Sequence, residues 1–304
     1  DESVADLHPP WWAQLHSRIR PGVQGIELLN GCSADFAKLN ARQLLNHLRN
    51  SESIDLSLLS ATFCPSLPPC EPNVFTDGAF KNPQSQRWGL GGFGVWWPGR
   101  CTFEDPPNDV EKSFSQWKVE EEGISFWGAL TGHRGSSTRT ELAGGIAAAL
   151  SNRAAHQCTD SMAYLLKAQA LLDGKCLTER RPWGLQNDGD LWAFFAKLIH
   201  QKGLHAMRIT WTKGHAKQSD IDEGKSTPLR KLGNDKVDDL ASKGVAEHTS
   251  GVLQLAAYFA KKQRMYKYLV NRIHRMFLRV LRKDQELRAR EDEIEQCYRS
   301  LVLG

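Results

Sequence analysis

The run N-V-F-T-D-G-A (73–79) sets a carboxylate, Asp77, directly after a short apolar stretch. Val74-Phe75-Thr76 has the β-branched and aromatic character of a buried strand, so Asp77 reads as a strand-end acid. Three further acids lie in contexts of a related kind. Glu141 falls in T-R-T-E-L (138–142), at the start of a small-residue helix. Asp160 falls in C-T-D-S-M (158–162), where a strand ends. Asp238 falls in G-N-D-K-V-D-D-L-A (233–241), downstream of W-T-K-G-H-A (211–216). The order, flanks and spacing of these four acids suit one shared site, and few needs other than holding divalent metal gather four carboxylates.

Working outward from Val74, the chain predicts Trp88 to Trp97 as a strand of alternating Gly and large apolar residues, closed by Pro98-Gly99. The acidic, Pro-containing stretch 104–122 reads as a loop or hairpin extension. Ile124–Gly132 is a third strand, and a helix follows from about Thr138 to Arg153. Another helix starts at Ser161, and Asp190–Lys202 carries Leu191, Trp192, Phe195, Leu198 and Ile199 at helical spacing. Ala206–Trp211 is a strand and Lys236–Val245 a helix. Three strands, a helix, a strand, helices, a strand and a helix make an α/β pattern. It suits an antiparallel meander followed by βαβ crossovers, with helices on both faces of a mixed sheet.

The flanks differ in character. Residues 1–71 read as a helical extension ending in the linker C-P-S-L-P-P-C-E-P (64–72). Residues 72–247 form the α/β domain, and 248–304 a basic amphipathic helical extension. Net charge is +4, unevenly spread: residues 261–283 hold nine Lys and Arg and no acid. Tyr266, Val270, Ile273, Phe277 and Val280 advance there by four and three, and packing on the domain, nucleic-acid contact, self-association and a peripheral membrane contact are all readings of this tail. No apolar run approaches the roughly 20 residues of a bilayer span, so no integral membrane contact is expected. The seven cysteines are irregularly spaced, without a C-x-x-C pair, which suggests reduced thiols in an intracellular protein, nucleus or cytoplasm unresolved. The chain opens at Asp1 without Met, which suggests a fragment or a processed product.

Strand ends and helix starts are rigid places from which carboxylates converge. Held together, such acids repel one another and take up protons unless a cation is present. An all-oxygen set suits Mg²⁺, with Mn²⁺ as a substitute, and two such ions roughly 3.5–4 Å apart serve in-line displacement at phosphorus. His215, in a Gly-His-Ala turn past a strand, is placed to move protons near neutral pH.

T-D-G-A (76–79), T-E-L (140–142), T-D-S-M (159–162), W-T-K-G-H-A (211–216) and G-N-D-K-V-D-D-L-A (233–241) together resemble the five signatures of type 1 ribonuclease H, in family order. That family includes free-standing enzymes and domains of reverse transcriptases and retroelements. The resemblance covers residues 72–247 and implies a ribonuclease H-like fold: a five-stranded mixed sheet flanked by helices. It implies metal-dependent cutting of the RNA strand of an RNA–DNA hybrid with two Mg²⁺. It makes Asp77, Glu141, Asp160 and Asp238 the catalytic metal ligands. Asp238 is preferred to Asp235 and Asp239, because it follows Asn234 by four residues and precedes acid-Leu-Ala. Asp239 would lie about 100° around the helix, in solvent. His215 matches a family histidine linked to proton transfer and product release.

Substrate contacts carry over less directly. Asn82 resembles a loop Asn that meets RNA 2′-hydroxyls. Ser137 and Thr138 stand beside Ser136 where the family places amides, and hydroxyls also bond a 2′-OH. Arg139 matches a family Arg that is structural or phosphate-facing. Asn187 resembles an Asn on the DNA-strand phosphate. Residues 173–185 replace a longer basic handle, and nineteen positions separate His215 from Asn234, more than in compact members. The insert 217–232 would sit beside the site, as a gate, a hybrid contact or a neutral loop. A reverse transcriptase in the same polyprotein is an expected partner, as is the hybrid. The competing readings are a catalytically silent hybrid-binding or scaffold domain of a retroelement polyprotein, and an integrase-type transferase.

Overall fold

The computed structural model describes residues 64–303 except 86–87, 131–134, 180 and 249. The helices expected within 1–60 lie outside these residues. Strands β1 (Val74–Lys81) and β2 (Leu90–Pro98) are followed by helix α1 (Asp109–Phe114) and strands β3 (Gln116–Glu120) and β4 (Gly123–Leu130). Then come α2 (Ser137–Ala149), β5 (Ala155–Thr159), α3 (Met162–Leu172), a 3₁₀ turn at Trp183–Leu185, α4 (Gly189–Lys202) and β6 (Met207–Trp211). A short α5 (Gln218–Asp222), α6 (Pro228–Ala246) and α7 (Ser250–Leu303) complete the described chain.

The six strands form one mixed sheet in the order β3-β4-β2-β1-β5-β6. β1, β2, β4 and β3 pair antiparallel in turn, while β5 runs parallel to both β1 and β6. The mixed sheet with flanking helices is therefore present, with one strand more than the five expected. The extra edge strand comes from 104–122: Asn108 caps α1 in a capping box with Glu111, and β3 then pairs with β4 through a tight turn.

Alternation along the strands covers both faces. Val74, Phe93, Val95 and Trp97 point to one face, where Ala143, Ala147 and Ala148 of α2 meet them. Small side chains let that helix lie close to the sheet. Its other flank, Leu142, Ile146 and Ala149, packs on the aromatic cluster Tyr164, Trp192 and Phe195 of α3 and α4. Phe75, Trp96, Trp127 and Cys158 point to the opposite face and are covered by Val237 and Leu240 of α6.

The last domain helix begins at Pro228, earlier than the expected Lys236. Thr227 accepts from the Arg230 amide at 3.2 Å as N-cap, and Pro228 supplies the preset first turn. The Pro-rich stretch is anchored from Cys64 onward. Cys64 is buried with Ala154 and Ala206, and the His156 ring bonds both the Pro69 carbonyl (2.9 Å) and Thr210 Oγ1 (3.1 Å). The compact unit that holds the sheet reaches Ala257, and residues from Tyr258 form a second unit.

Arg100, just past β2, is 2% exposed and pairs with Glu111 of α1 at 2.6 Å and with Asp105 at 2.9 Å, its guanidinium over Trp97 and Phe126. It fastens the added α1–β3 segment to the sheet. Truncating one partner of a buried pair strands the other charge, so Arg100→Ala is expected to lower unfolding free energy by about 3–5 kcal/mol in urea titration. A loss below about 1 kcal/mol would show that the segment is not held this way.

Candidate metal centre

Asp77 and Asp160 are brought level by strand register. Phe75 pairs with Cys158 in the parallel β1–β5 ladder, and each acid lies two residues beyond that pair. The register is locked by a buried polar chain: Gln157 Nε2 donates to Thr76 Oγ1 at 2.6 Å, and the Tyr164 hydroxyl donates to Gln157 Oε1 at 2.9 Å. These three residues tie β1, β5 and α3 together directly behind the acids. Nothing in their local sequence signalled this, because the partners are far apart in the chain.

Glu141 arrives from the second turn of α2, whose start is fixed by Ser136 as N-cap (Arg139 N to Ser136 Oγ, 3.0 Å). The helix reaches the acids because Gly78 carries no side chain. A Cβ there would lie 2.4 Å from the Glu141 amide nitrogen and 2.5 Å from the Thr140 carbonyl carbon. Ligand oxygens of Asp77, Glu141 and Asp160 all lie within 4.8 Å of one another. Asp77 and Glu141 are each 8% exposed, and Asp160 is half-buried.

The electrostatics follow from that crowding. Burial and the Asp160 charge push the Asp77 carboxyl up to about 6, against the pull of the Gly78 N–H, which donates to Asp77 Oδ1 at 2.6 Å. Burial and the charges of Asp77 and Asp160 push Glu141 well above the usual carboxylate range. Burial also raises Asp160, with His215 pulling the other way and Asp238 adding to the rise. Glu141 Oε2 is buried and has no hydrogen-bond partner. An orphaned carboxyl oxygen beside two further carboxyl groups fits a hard divalent cation bound through oxygen.

Asp238 projects from the middle of α6 rather than from its start, because that helix begins ten residues earlier at Pro228. It stands outside the closest trio but near enough for its charge to raise both Asp77 and Asp160. Its competitors are otherwise placed: Asp235 is paired with Lys231 and Asp239 is exposed. His215 has a left-handed backbone (φ 48°), and its Nδ1 lies 4.0 Å from Asp238 Oδ2. Its neighbour Gly214 gives the turn room, since a Cβ there would meet Asp160 Oδ2 at 2.3 Å. The insert 217–232 is folded as α5 and the first turn of α6. Lys213 of the histidine turn bonds Asp220 of α5, which also accepts from the Lys217 amide at 2.8 Å.

The substrate-contact residues divide. Ser137 is exposed and Thr138 half-exposed at the mouth of α2; Asn187 is exposed, and Asn82 has φ 57° with its amide donating to the Trp88 carbonyl at 3.2 Å. Of its two expected roles, Arg139 takes the structural one rather than the substrate-facing one. It is 1% exposed and grips Asp190 through two bonds of 2.7 and 2.6 Å, so its guanidinium joins α2 to α4 and turns no face to a phosphate. Although burial acts to raise it, Asp190 is held below its ordinary pKa by that guanidinium. Ser136 donates to Asp188 at 2.8 Å beside this pair.

No family model matches the chain, and no curated protein matches it. Solved structures do. The foamy viral protease–reverse transcriptase in complex with dsDNA is 17% identical, with 60% of this chain and 99% of that chain covered and a TM-score of 0.37. The PFV RNase H domain is 16% identical, covering 57% and 92%, at 0.35. RNase H1 from the halophilic archaeon Halobacterium salinarum NRC-1 is 16% identical, covering 57% and 96%, at 0.31. At these scores the likenesses say nothing about what this chain binds or cleaves.

Two outcomes test the centre. A carboxyl raised in the folded state weakens folding as pH climbs above its ordinary value, and the full penalty stands above about pH 6. Added Mg²⁺ relieves that penalty, so it should raise the melting temperature more at about pH 7.5 than at about pH 5, and Asp77→Asn should abolish the difference. An equal shift at both pH values would remove the carboxylate trio as the binding site. Gly78→Ala forces β1 and α2 apart; it should cost about 1–3 kcal/mol of stability in denaturant titration and weaken the Mg²⁺ response.

Proposed function

We propose that the chain is a metal-dependent endoribonuclease that hydrolyses the RNA strand of RNA–DNA hybrids. The observation that carries this reading is the trio Asp77, Glu141 and Asp160, with ligand oxygens within 4.8 Å of one another, together with the unpartnered Glu141 Oε2. Most buried carboxylate oxygens in a structural cluster have hydrogen-bond partners, and among the described residues these three acids have no basic side chain bonded to them.

Asp77, Glu141 and Asp160 would hold the inner ion positions, with Asp238 completing the set from α6. Two hard divalent cations, when bound, supply an activated water and neutralise charge on the scissile phosphate. The chain's own residues do the rest. The rigid β1–β5 register fixes the carboxylates before substrate arrives, which spares reorganisation during reaction. His215 is 79% exposed at the side chain and faces Asp238, which orients Nδ1 and leaves the rest of the ring free to move a proton at the rim. The hydroxyls of Ser137 and Thr138, with Asn82, would meet 2′-hydroxyls of the RNA strand, the group that separates RNA from DNA. Asn187, which is exposed, would meet the phosphate of the other strand. Products would carry 5′-phosphate and 3′-hydroxyl ends.

The test is a strand-labelled hybrid incubated with purified protein and Mg²⁺. The RNA strand should be cut, the DNA strand and duplex DNA spared, and EDTA should stop the reaction. Asp77→Asn should lower the rate by at least about a hundredfold. His215→Ala should retain cutting at a reduced rate. Binding of the hybrid without any Mg²⁺-dependent cutting would instead establish the silent, scaffold reading.

A further inference from the structure

From Tyr258 onward the second unit is helical and exposes a regular apolar row. Ile273, Val280, Leu287, Ile294 and Leu301 recur at every seventh position, each between 39% and 84% exposed. At 1.5 Å per residue this row runs about 42 Å. Val270 and Phe277 fill the second seam position in the first half, and Tyr298 fills it near the end. A strict seven-residue repeat keeps one stripe facing a partner helix in a left-handed supercoil. Asp284 and Glu291 interrupt the second seam position, while the row from Ile273 to Leu301 is unbroken, and an exposed apolar row of this kind marks a surface that a partner covers.

Charge selects the occupant. Residues 261–283 hold nine Lys and Arg and no acid, whereas residues 284–304 hold six acids and three bases. Two copies side by side and parallel would set nine cations against nine. They would also place Asp284 and Glu291, at seam positions, opposite themselves. Antiparallel copies set each basic half on the other's acidic half and separate those acids. Nucleic acid would satisfy the basic half alone, leaving the acidic half and the row at Leu287, Ile294 and Leu301 without a partner.

We propose that this helix pairs, antiparallel, with the same helix of a second copy of the chain. The pairing is independent of the metal centre, so the two readings succeed or fail separately.

Sedimentation velocity of the full chain over a range of concentrations tests this. A dimer is expected, lost in the double variant Ile273→Glu/Ile294→Glu with helical circular dichroism unchanged. Because the complementary halves attract, added NaCl should weaken the dimer. Cys297 is exposed beside the seam; antiparallel pairing sets its two copies at opposite ends, so mild oxidation should give no Cys297–Cys297 peptide in mass spectrometry. A dimer strengthened by salt and linked through Cys297 would be parallel and would overturn the proposal. So would a dimer untouched by the double variant. A monomer at every concentration, whose binding to duplex DNA is lost in Arg275→Gln/Arg279→Gln, would assign the helix to nucleic acid and overturn it equally.

Discussion

Carboxylates with oxygens within 4.8 Å of one another are forced together here by strand register and by one missing side chain. The repulsion among Asp77, Glu141 and Asp160 is the constraint around which the domain is arranged. The β1–β5 ladder sets two of the acids level, and the Thr76–Gln157–Tyr164 chain prevents slippage. The bare Cα of Gly78 lets α2 bring the third. A fold that holds like charges at this range carries an unfavourable term in every metal-free molecule above about pH 6. Such a term is retained where binding a cation removes it.

The surroundings divide the work. Small residues of α2 seat it on the sheet, and its far flank leans on aromatic side chains of α3 and α4. Arg139 joins α2 to α4 through Asp190, which steadies the helix that delivers Glu141. On the opposite face α6 covers Phe75 and Trp96 and carries Asp238. The turn with His215 is wedged against Asp160 at Gly214 and tied by Lys213 to the insert. The insert is thus fastened to the histidine turn through its Asp220.

The acids were legible in the sequence as local patterns, and Asp160 does follow the end of β5, but Asp77 lies within β1, which runs on to Lys81 by pairing with β2, and Glu141 is the fifth residue of its helix. Asp238 was singled out from its neighbours by position within its motif, and the structure sets Asp235 on Lys231 and Asp239 in solvent. What stayed open or escaped had weak local signals or distant partners. The edge strand 116–120 has no buried alternation of its own and exists by pairing with β4. Arg139 faced inward because Asp190, fifty-one positions away, is beside it. The early start of α6 was marked by Thr227-Pro228, a cap signal outweighed by the polar look of the insert. The seven-residue row beyond Val280 was hidden by the charged residues around it.

The central claim is that these carboxylates hold divalent ions. The most direct measurement is anomalous scattering from crystals of the protein grown with Mn²⁺ and an RNA–DNA hybrid, using Asp238→Asn to slow turnover. Manganese density bounded by Asp77, Glu141 and Asp160 is the predicted result. A Mn²⁺-saturated crystal with an ordered hybrid and no manganese among those three side chains would contradict it.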